Sequence, residues 1–475
     1  MQTRKVSRRQ LLRGAAVFGS GALLAACAAP PAAAPAAAPA APAAAEAVKP
    51  TEAPAATTGG TLQVLHRQEY FKGLEDELKK QTEEFIKSQG MTPDVSTVNP
   101  EVFGDFMAKM QAAVAAGNPP DLTYHGNSVA QMFDLELSED HSGLVDELVK
   151  AYGEIVPAAA ARNAKFEDKW WAAPHSSVIG GWFVRKDAAE AGKVDLTKFS
   201  TLQQRLDGAI AMTTQDMFGW GMTVNKSGDG HGLIQTAFQA FGGRAVDETG
   251  KKVTFNSPET VAGVKWLADI YSNAKYKAIL PPGIESWTDP SNNEAYLAGK
   301  ISMTTNAPSI YAKAKKDKNP IFDKIAWMPY PTTNDGKTIL GSGGNQWYTI
   351  MKGAKNADAA KKVIMHFMDP KVFTPLSILG GGLVMPAYKN GWTDELLKAD
   401  ANFAALKDNM FNPSDYTGFA FPAQTNAAID ASFATGFLSA MMSDIITGKK
   451  SVEDSVKENH DKIVAIFEEK GFSQK

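Results

Sequence analysis

The folded body of this chain predicts an α/β architecture, and three observations carry the prediction. Thr61-Leu62-Gln63-Val64-Leu65 alternates as a half-buried strand does. Phe71, Leu74, Leu78 and Phe85 then recur on one helical stripe, with Gly90 as its stop. The pattern repeats: residues 92–98 read as a strand, 103–116 as a helix, and Gly117-Asn118-Pro119-Pro120 breaks the chain before the strand Asp121-Leu122-Thr123-Tyr124. Strands alternating with helices imply a parallel, doubly wound sheet. Ligands of such sheets sit beyond the carboxyl ends of the strands. That makes His66, Arg67, Gln68, Glu69 and Tyr70, and the run Tyr124 to Ser128, candidates for a binding surface.

The amino terminus speaks to compartment. Ser7-Arg8-Arg9-Gln10-Leu11-Leu12 holds a twin arginine before an apolar, small-residue run from Gly14 to Ala26. That run is too short to span a bilayer and has the layout of an export signal. It ends Leu24-Ala25-Ala26-Cys27, which resembles the bacterial lipobox, where cleavage precedes a cysteine that is then lipidated. Cys27 is the only cysteine, so neither an intrachain disulfide nor a thiolate metal site is expected. The twin arginine resembles a Tat signal with Leu11 where Phe is usual; the general secretory route is the alternative. Residues 27–59 follow as an Ala/Pro-rich linker, a composition with nothing to bury that suits an extended spacer.

The body from Gly60 onward is long for one core and suits two. Removing residues 1–26 takes five cations and no acid from a formal net charge of −3, leaving −8. That balance argues against a nucleic-acid partner, whose phosphates favour a basic face.

The middle of the chain turns on Lys169-Trp170-Trp171-Ala172-Ala173-Pro174-His175-Ser176-Ser177, followed by Gly180-Gly181-Trp182-Phe183-Val184-Arg185. One strand reaches a polar and aromatic crossing, and a second opens a new unit. Beyond it, residues 220–224 read as a strand, and residues 242–255 as a hairpin turning at Thr249-Gly250. Ser257-Pro258-Glu259 opens a helix with the stripe Val261, Val264, Leu267 and Tyr271. A helix over 292–298 and a strand over 301–306 follow. The glycine-rich stretch 341–348 is a second crossing. Asn356 caps a helix with the stripe Ala360, Val363, Ile364 and Phe367, and residues 380–386 read as a flexible loop. A tail helix opens at Ser451 with Asp454 three residues on.

Several motifs fail on inspection. Gly336-Lys337-Thr338 ends like a phosphate loop, but Pro331 occupies the place of its first glycine. Asn225 to Gly230 begins like a calcium loop, yet Thr236 stands at the closing position where a bidentate acid is needed. The seven histidines show no paired spacing for zinc. No Gly-x-Ser-x-Gly elbow seats a serine nucleophile. No catalytic residue, metal or cofactor is expected.

In order behind a lipobox come Ala116-Gly117-Asn118-Pro119-Pro120-Asp121, Trp171-Ala172-Ala173-Pro174 with Val184-Arg185-Lys186-Asp187, and Asn256-Ser257-Pro258-Glu259. Ala298-Gly299-Lys300-Ile301-Ser302-Met303, Gly343-Gly344 and Lys355-Asn356-Ala357-Asp358-Ala359-Ala360 complete the series. In these motifs the chain resembles the bacterial extracellular solute-binding proteins of family 1, the mostly carbohydrate-binding lipoproteins that serve ABC importers. Phe183-Val184-Arg185 departs from the tyrosine-asparagine pair usual at the crossing, and Pro174-His175-Ser176-Ser177 is less usual; both bear on the ligand more than on the family.

The resemblance implies a two-lobe, hinged, type II-like periplasmic-binding-protein fold that closes on its ligand. Residues 60–173 and 343–395 would form one lobe, and 177–340 and 400–475 the other. The protein would be a lipid-anchored monomer outside the cytoplasm and no enzyme, handing a small carbohydrate to ABC permease subunits. Tyr70, Tyr124, Trp220, Trp287, Trp347 and Phe419 are candidate stacking platforms for sugar faces. Glu69, Asn127, His175, Asp289, Asn306 and Asn345 are candidate partners for hydroxyls. The same fold holding a polyamine, phosphodiester or metal chelate is one alternative, and a tethered glycoside hydrolase is another.

Overall fold

The computed structural model describes residues 59–99, 105–157, 159–341, 343–411 and 418–474. The expected export signal, Cys27 and the linker up to residue 58 lie outside these, as do Phe103 and Ser342.

Eleven strands are found among the described residues. In chain order they are β1 (Thr61–Arg67), β2 (Thr92–Val98), β3 (Leu122–His125), β4 (Lys165–Phe166), β5 (Lys169–Trp170) and β6 (Ala173–Ile179). Then come β7 (Gly181–Arg185), β8 (Met303–Asn306), β9 (Ile325–Met328), β10 (Gly343–Ile350) and β11 (Met385–Pro386). A six-stranded sheet has the order β11-β6-β10-β3-β1-β2, a three-stranded sheet the order β8-β7-β9, and β4 pairs with β5 alone.

β1 runs parallel to β2 and β3, as the alternating pattern predicts. β10 runs antiparallel to both β3 and β6, so the larger sheet is mixed, not all parallel. The reason is connectivity. β10 arrives from β9 in the smaller sheet, so no crossover helix on the larger sheet turns it into parallel register. The chain passes between the sheets twice: through Gly180, which alone separates β6 from β7, and through the segment joining β9 to β10.

Each sheet gathers its own core. Helix Lys72–Ser88 buries Leu74, Leu78 and Ile86, and helix Ala357–Met368 buries Ala360, Val363, Ile364 and Phe367. These join Leu62, Val64, Leu122 and Tyr348 of the larger sheet in one cluster. The second cluster sets Trp182, Val184 and Met303 against Leu206, Phe238, Val264, Leu267, Ile463 and Phe467. The helix ends follow local chemistry: Ser257 Oγ accepts from the Thr260 N–H, and Ser451 Oγ from the Asp454 N–H.

Three expectations are corrected. Residues 220–224 form no strand: Trp220 N–H donates to Ile279 and Gly221 N–H to Met303, too few bonds for a ladder. Residues 384–386 are no flexible loop, since Met385 pairs with Ser177 and Pro386 with Ser176. β11 is an edge strand, where the missing proline N–H leaves no ladder bond unmade. Asn356 does not cap helix Ala357–Met368 with its side chain, because its Nδ2 donates to the Thr61 carbonyl and to Asp121 Oδ2 instead. Helix Ala401–Met410, expected with the second lobe, puts Phe403, Leu406 and Met410 into a cluster with Met385, Trp392 and Leu396, against which Trp327 of the smaller sheet also packs.

Candidate functional site

A cavity of about 310 Å³ opens where the chain passes between the sheets. Four stretches of the larger-sheet side reach it: the turn after β3, Pro157 with Asn163, the end of β6, and the start of β10. Facing them are the segment after β9 and residues 418–433 near the carboxyl end.

Local chemistry positions these walls. β3 ends in Gly126-Asn127-Ser128, where Asn127 N–H donates to His125 Nδ1 at 3.1 Å. Ser128 Oγ accepts from the Gln131 N–H at 3.1 Å and so caps helix Val129–Asp134. On β10, Asn345 and Trp347 line the cavity, and Asn345 Oδ1 accepts from Ser177 Oγ at 2.9 Å. Gln346 between them serves the interior instead, accepting from Tyr124 Oη and Ser176 Oγ. Across the cavity the Phe419 and Phe433 rings lie 5.3 Å apart at 47°. Asp430, on helix Ala427–Ala434, lines it too. Its Oδ1 accepts from Thr425 Oγ1 and its Oδ2 from Ser128 Oγ. Burial pushes the Asp430 carboxyl up, while the two hydroxyls pull it back toward ionisation.

Such a wall of rings, amides and one carboxyl can hold a polar molecule with apolar faces. Among the described residues no group of His, Cys, Asp and Glu side chains is set to hold a metal ion.

The profile of the bacterial extracellular solute-binding proteins matches residues 80–405, more than half of the chain. The chain belongs to this family. No curated protein sequence matches it. Solved structures share the two-lobe α/β fold. An ABC-transporter solute-binding protein of Thermotoga lettingae bound with α-D-tagatose is 16% identical, with a TM-score of 0.71 over 86% of this chain and 100% of that one. A sugar transporter protein of Arthrobacter chlorophenolicus with bound laminaribiose is 15% identical, with a TM-score of 0.70 over 86% and 99%. The maltotriose-binding protein of Thermus thermophilus, bound with maltotriose, is 17% identical, with a TM-score of 0.65 over 84% and 98%.

Of the residues expected to bind, this solute-binding protein brings Asn127, Asn345, Trp347 and Phe419 to the cavity. The other eight lie elsewhere. Tyr124 is fully buried within the larger sheet's core. His175 is wedged among Tyr124, Tyr348 and Phe373 with ring centroids 4.7–5.1 Å apart. Burial holds its pKa at about 3, and neither ring nitrogen has a hydrogen-bond partner, so it is a neutral packing residue. Glu69 is buried against Arg67 at 3.3 Å. Tyr70 is half exposed and accepts from Asn293 Nδ2 at 3.4 Å.

In the other lobe, Trp220 packs edge-on to Trp182 and donates from Nε1 to Tyr271 Oη at 3.0 Å. Trp287 packs against the cluster of Phe183, Tyr296 and Ile301, and its carbonyl accepts from Thr223 Oγ1. Asp289 accepts from the N–H groups of Gly228 and Asp229, a structural tie between two helix starts. Asn306 is buried and donates to Asp229 and Asn293. A polar residue after a strand can serve the ligand or the fold, and in these the fold claims it.

Sequence reasoning missed Asn163, Gln235, Tyr330, Asp430 and Phe433, all of which line the cavity. Pro329-Tyr330-Pro331 carried a signal, an aromatic held between prolines on the second passage. Asp430 carried none, because it lies inside a helix.

Proposed function

We propose that this protein captures a sugar or oligosaccharide between its lobes and delivers it unchanged to the membrane subunits of an ABC importer. The cavity carries the reading. Its volume of about 310 Å³ falls within the range of small-molecule sites. Trp347, Phe419 and Tyr330 offer rings for the C–H faces of a sugar, and Asn127, Asn345 and Asp430 offer partners for its hydroxyls. Sugar-bound structures of the same fold support it. Walls drawn from both lobes make closure a hinge motion driven by contacts that only the closed form completes.

The rest of the chain fits that role. A lipid on Cys27 would hold the protein at the membrane after export through the twin-arginine route, and residues 27–59 would space it from the bilayer. The lobes would be residues 60–173 with 343–410, and 177–340 with 418–474.

A thermal-shift panel tests the reading, since a solute specific to the folded state raises apparent stability by mass action. At least one neutral saccharide should raise the melting temperature and be recovered unaltered. Stabilisation by spermidine, a phosphodiester or a metal chelate, with none by any saccharide, would replace the sugar with that solute. Cleaved product at enzyme-like rates would make the protein a glycoside hydrolase.

A further inference from the structure

We infer that Asp430 sets the charge of the solute: the cavity takes a neutral or amino-bearing saccharide and rejects sugar acids and sugar phosphates. The inference rests on the saccharide reading above and narrows it.

Asp430 stands where the two lobes meet at the cavity. Its Oδ1 accepts from Thr425 on its own side, and its Oδ2 from Ser128 on the turn after β3. Both donors are neutral hydroxyls. A carboxylate has about four acceptor positions, so two partners leave capacity for a molecule in the cavity it lines.

No lysine, arginine or histidine is among the described residues that line the cavity. Arg67 stands behind Gly126, its Nη1 3.1 Å from where a Cβ at 126 would lie, but its guanidinium faces Glu69 at 3.3 Å. An anionic solute would therefore meet a carboxyl and no free cation. In a site closed from water, two like charges repel strongly and neither regains its hydration. A solute hydroxyl or ammonium does the reverse, giving Asp430 a further charge-assisted hydrogen bond.

Ser128 fixes the geometry of this selection. The same hydroxyl accepts from the Gln131 N–H and donates to Asp430, so the helix start and the carboxyl are held as one unit. Solute and Ser128 would thus grip one carboxyl from two directions as the lobes meet.

The test is a charge series measured by calorimetry on the full-length body. Glucose, tagatose, maltose and laminaribiose are the neutral probes, glucosamine is the cationic one, and glucuronate, glucose 6-phosphate and tagatose 6-phosphate are the anionic ones. With wild type, at least one neutral or cationic probe should bind, and the anionic probes at least tenfold more weakly. Asp430→Asn should weaken the neutral probe at least tenfold and bring the neutral-to-anionic ratio close to one. Ser128→Ala, which removes one tie and leaves the carboxyl, should weaken the neutral probe and keep the anionic probes weaker still.

An anionic probe bound as tightly as its neutral counterpart overturns the inference, as does Asp430→Asn with affinity and ratio unchanged. If Asp430→Asn does not fold, the wild-type series decides alone. Binding by no saccharide of any charge sinks the saccharide reading and this one with it, whereas neutral binding without charge discrimination sinks only the role of Asp430.

Discussion

A Cβ on Gly180 would lie 2.6 Å from the carbonyl oxygen of Asn306, a distance no real side chain tolerates. Gly180 is the single residue between β6 of the larger sheet and β7 of the smaller, and β7 pairs with β8 through Gly181 and Asn306. The obstacle is backbone already committed to a ladder, so it cannot turn aside as a flexible side chain would. Gly180→Ala should lower stability by about 1–3 kcal/mol, the usual cost of overpacking. Gly232→Ala is the control: nothing lies within 4 Å of its Cβ position, and it sits inside helix Gly228–Ala240. There alanine should leave the urea midpoint unchanged or raise it, as helix propensity favours. Equal midpoints for Gly180→Ala and wild type would refute the crowding argument.

The tryptophans separate binding from folding. Trp220 is fully buried beside Trp182 and Tyr271, so Trp220→Ala should cost roughly 3–5 kcal/mol of stability. Trp347 lines the cavity, and Trp347→Ala should cost on the order of 2 kcal/mol of ligand affinity. It also belongs to the core of the larger sheet, so some stability goes with it. Trp287 packs against Phe183, Tyr296 and Ile301, away from the cavity, and Trp287→Ala should leave affinity unchanged. Calorimetry with the bound saccharide and urea midpoints without it give both quantities. Lost affinity in Trp287→Ala would return that residue to the site.

These contrasts show what was legible in the sequence. Features that repeat or that act locally could be read: the stripe Ala360, Val363, Ile364 and Phe367 is buried as its spacing demands, and Ser257 and Ser451 cap the helices they precede. The site is not local. Asn127 and Asn345 could be found because they follow a strand end and a glycine-rich passage. Asp430 and Phe433 reach the cavity only because helix Ala427–Ala434 packs on helix Val129–Asp134, almost 300 positions earlier in the chain. His175 failed for the opposite reason. Ser176 and Ser177 after it are polar, but Tyr348 and Phe373, distant in sequence, enclose it.

The proposed membrane attachment rests on one thiol. Cys27 closes the only lipobox-like run and is the only cysteine, so Cys27→Ser removes any lipid attachment there without touching the folded body. The variant should move from the membrane to the soluble fraction and keep the melting temperature of the lipid-free wild-type body. A variant still sedimenting with membranes would end the lipoprotein reading.

Acid should weaken the lobe of the larger sheet through its histidines. His66, His125, His141 and His175 are buried, and burial holds their pKa values at about 4, 3, 4 and 3. His141 shows why a second proton is refused: its Nδ1–H donates to the Glu139 carbonyl at 2.7 Å, and Nε2 accepts from the Ile350 N–H at 2.8 Å. In the unfolded chain each ring titrates near ~6.5. Above that pH both states are neutral and the contribution to stability is complete. Below it the unfolded chain binds protons that the fold excludes, so stability falls with pH until the folded pKa is reached. The slope approaches about 1.4 kcal/mol per pH unit for each histidine. Glu69, Asp229 and Asp430, whose carboxyls burial raises, act in the opposite sense, so the diagnostic is a difference between two proteins. His175→Leu is the partner to compare, because neither ring nitrogen has a hydrogen bond to lose and the neighbours are aromatic. Its urea midpoint should stay near wild type at pH 7.5 and exceed it increasingly from pH 6 down to pH 4. Parallel profiles for the two proteins across that range would show that His175 takes up its proton in the fold, against its burial.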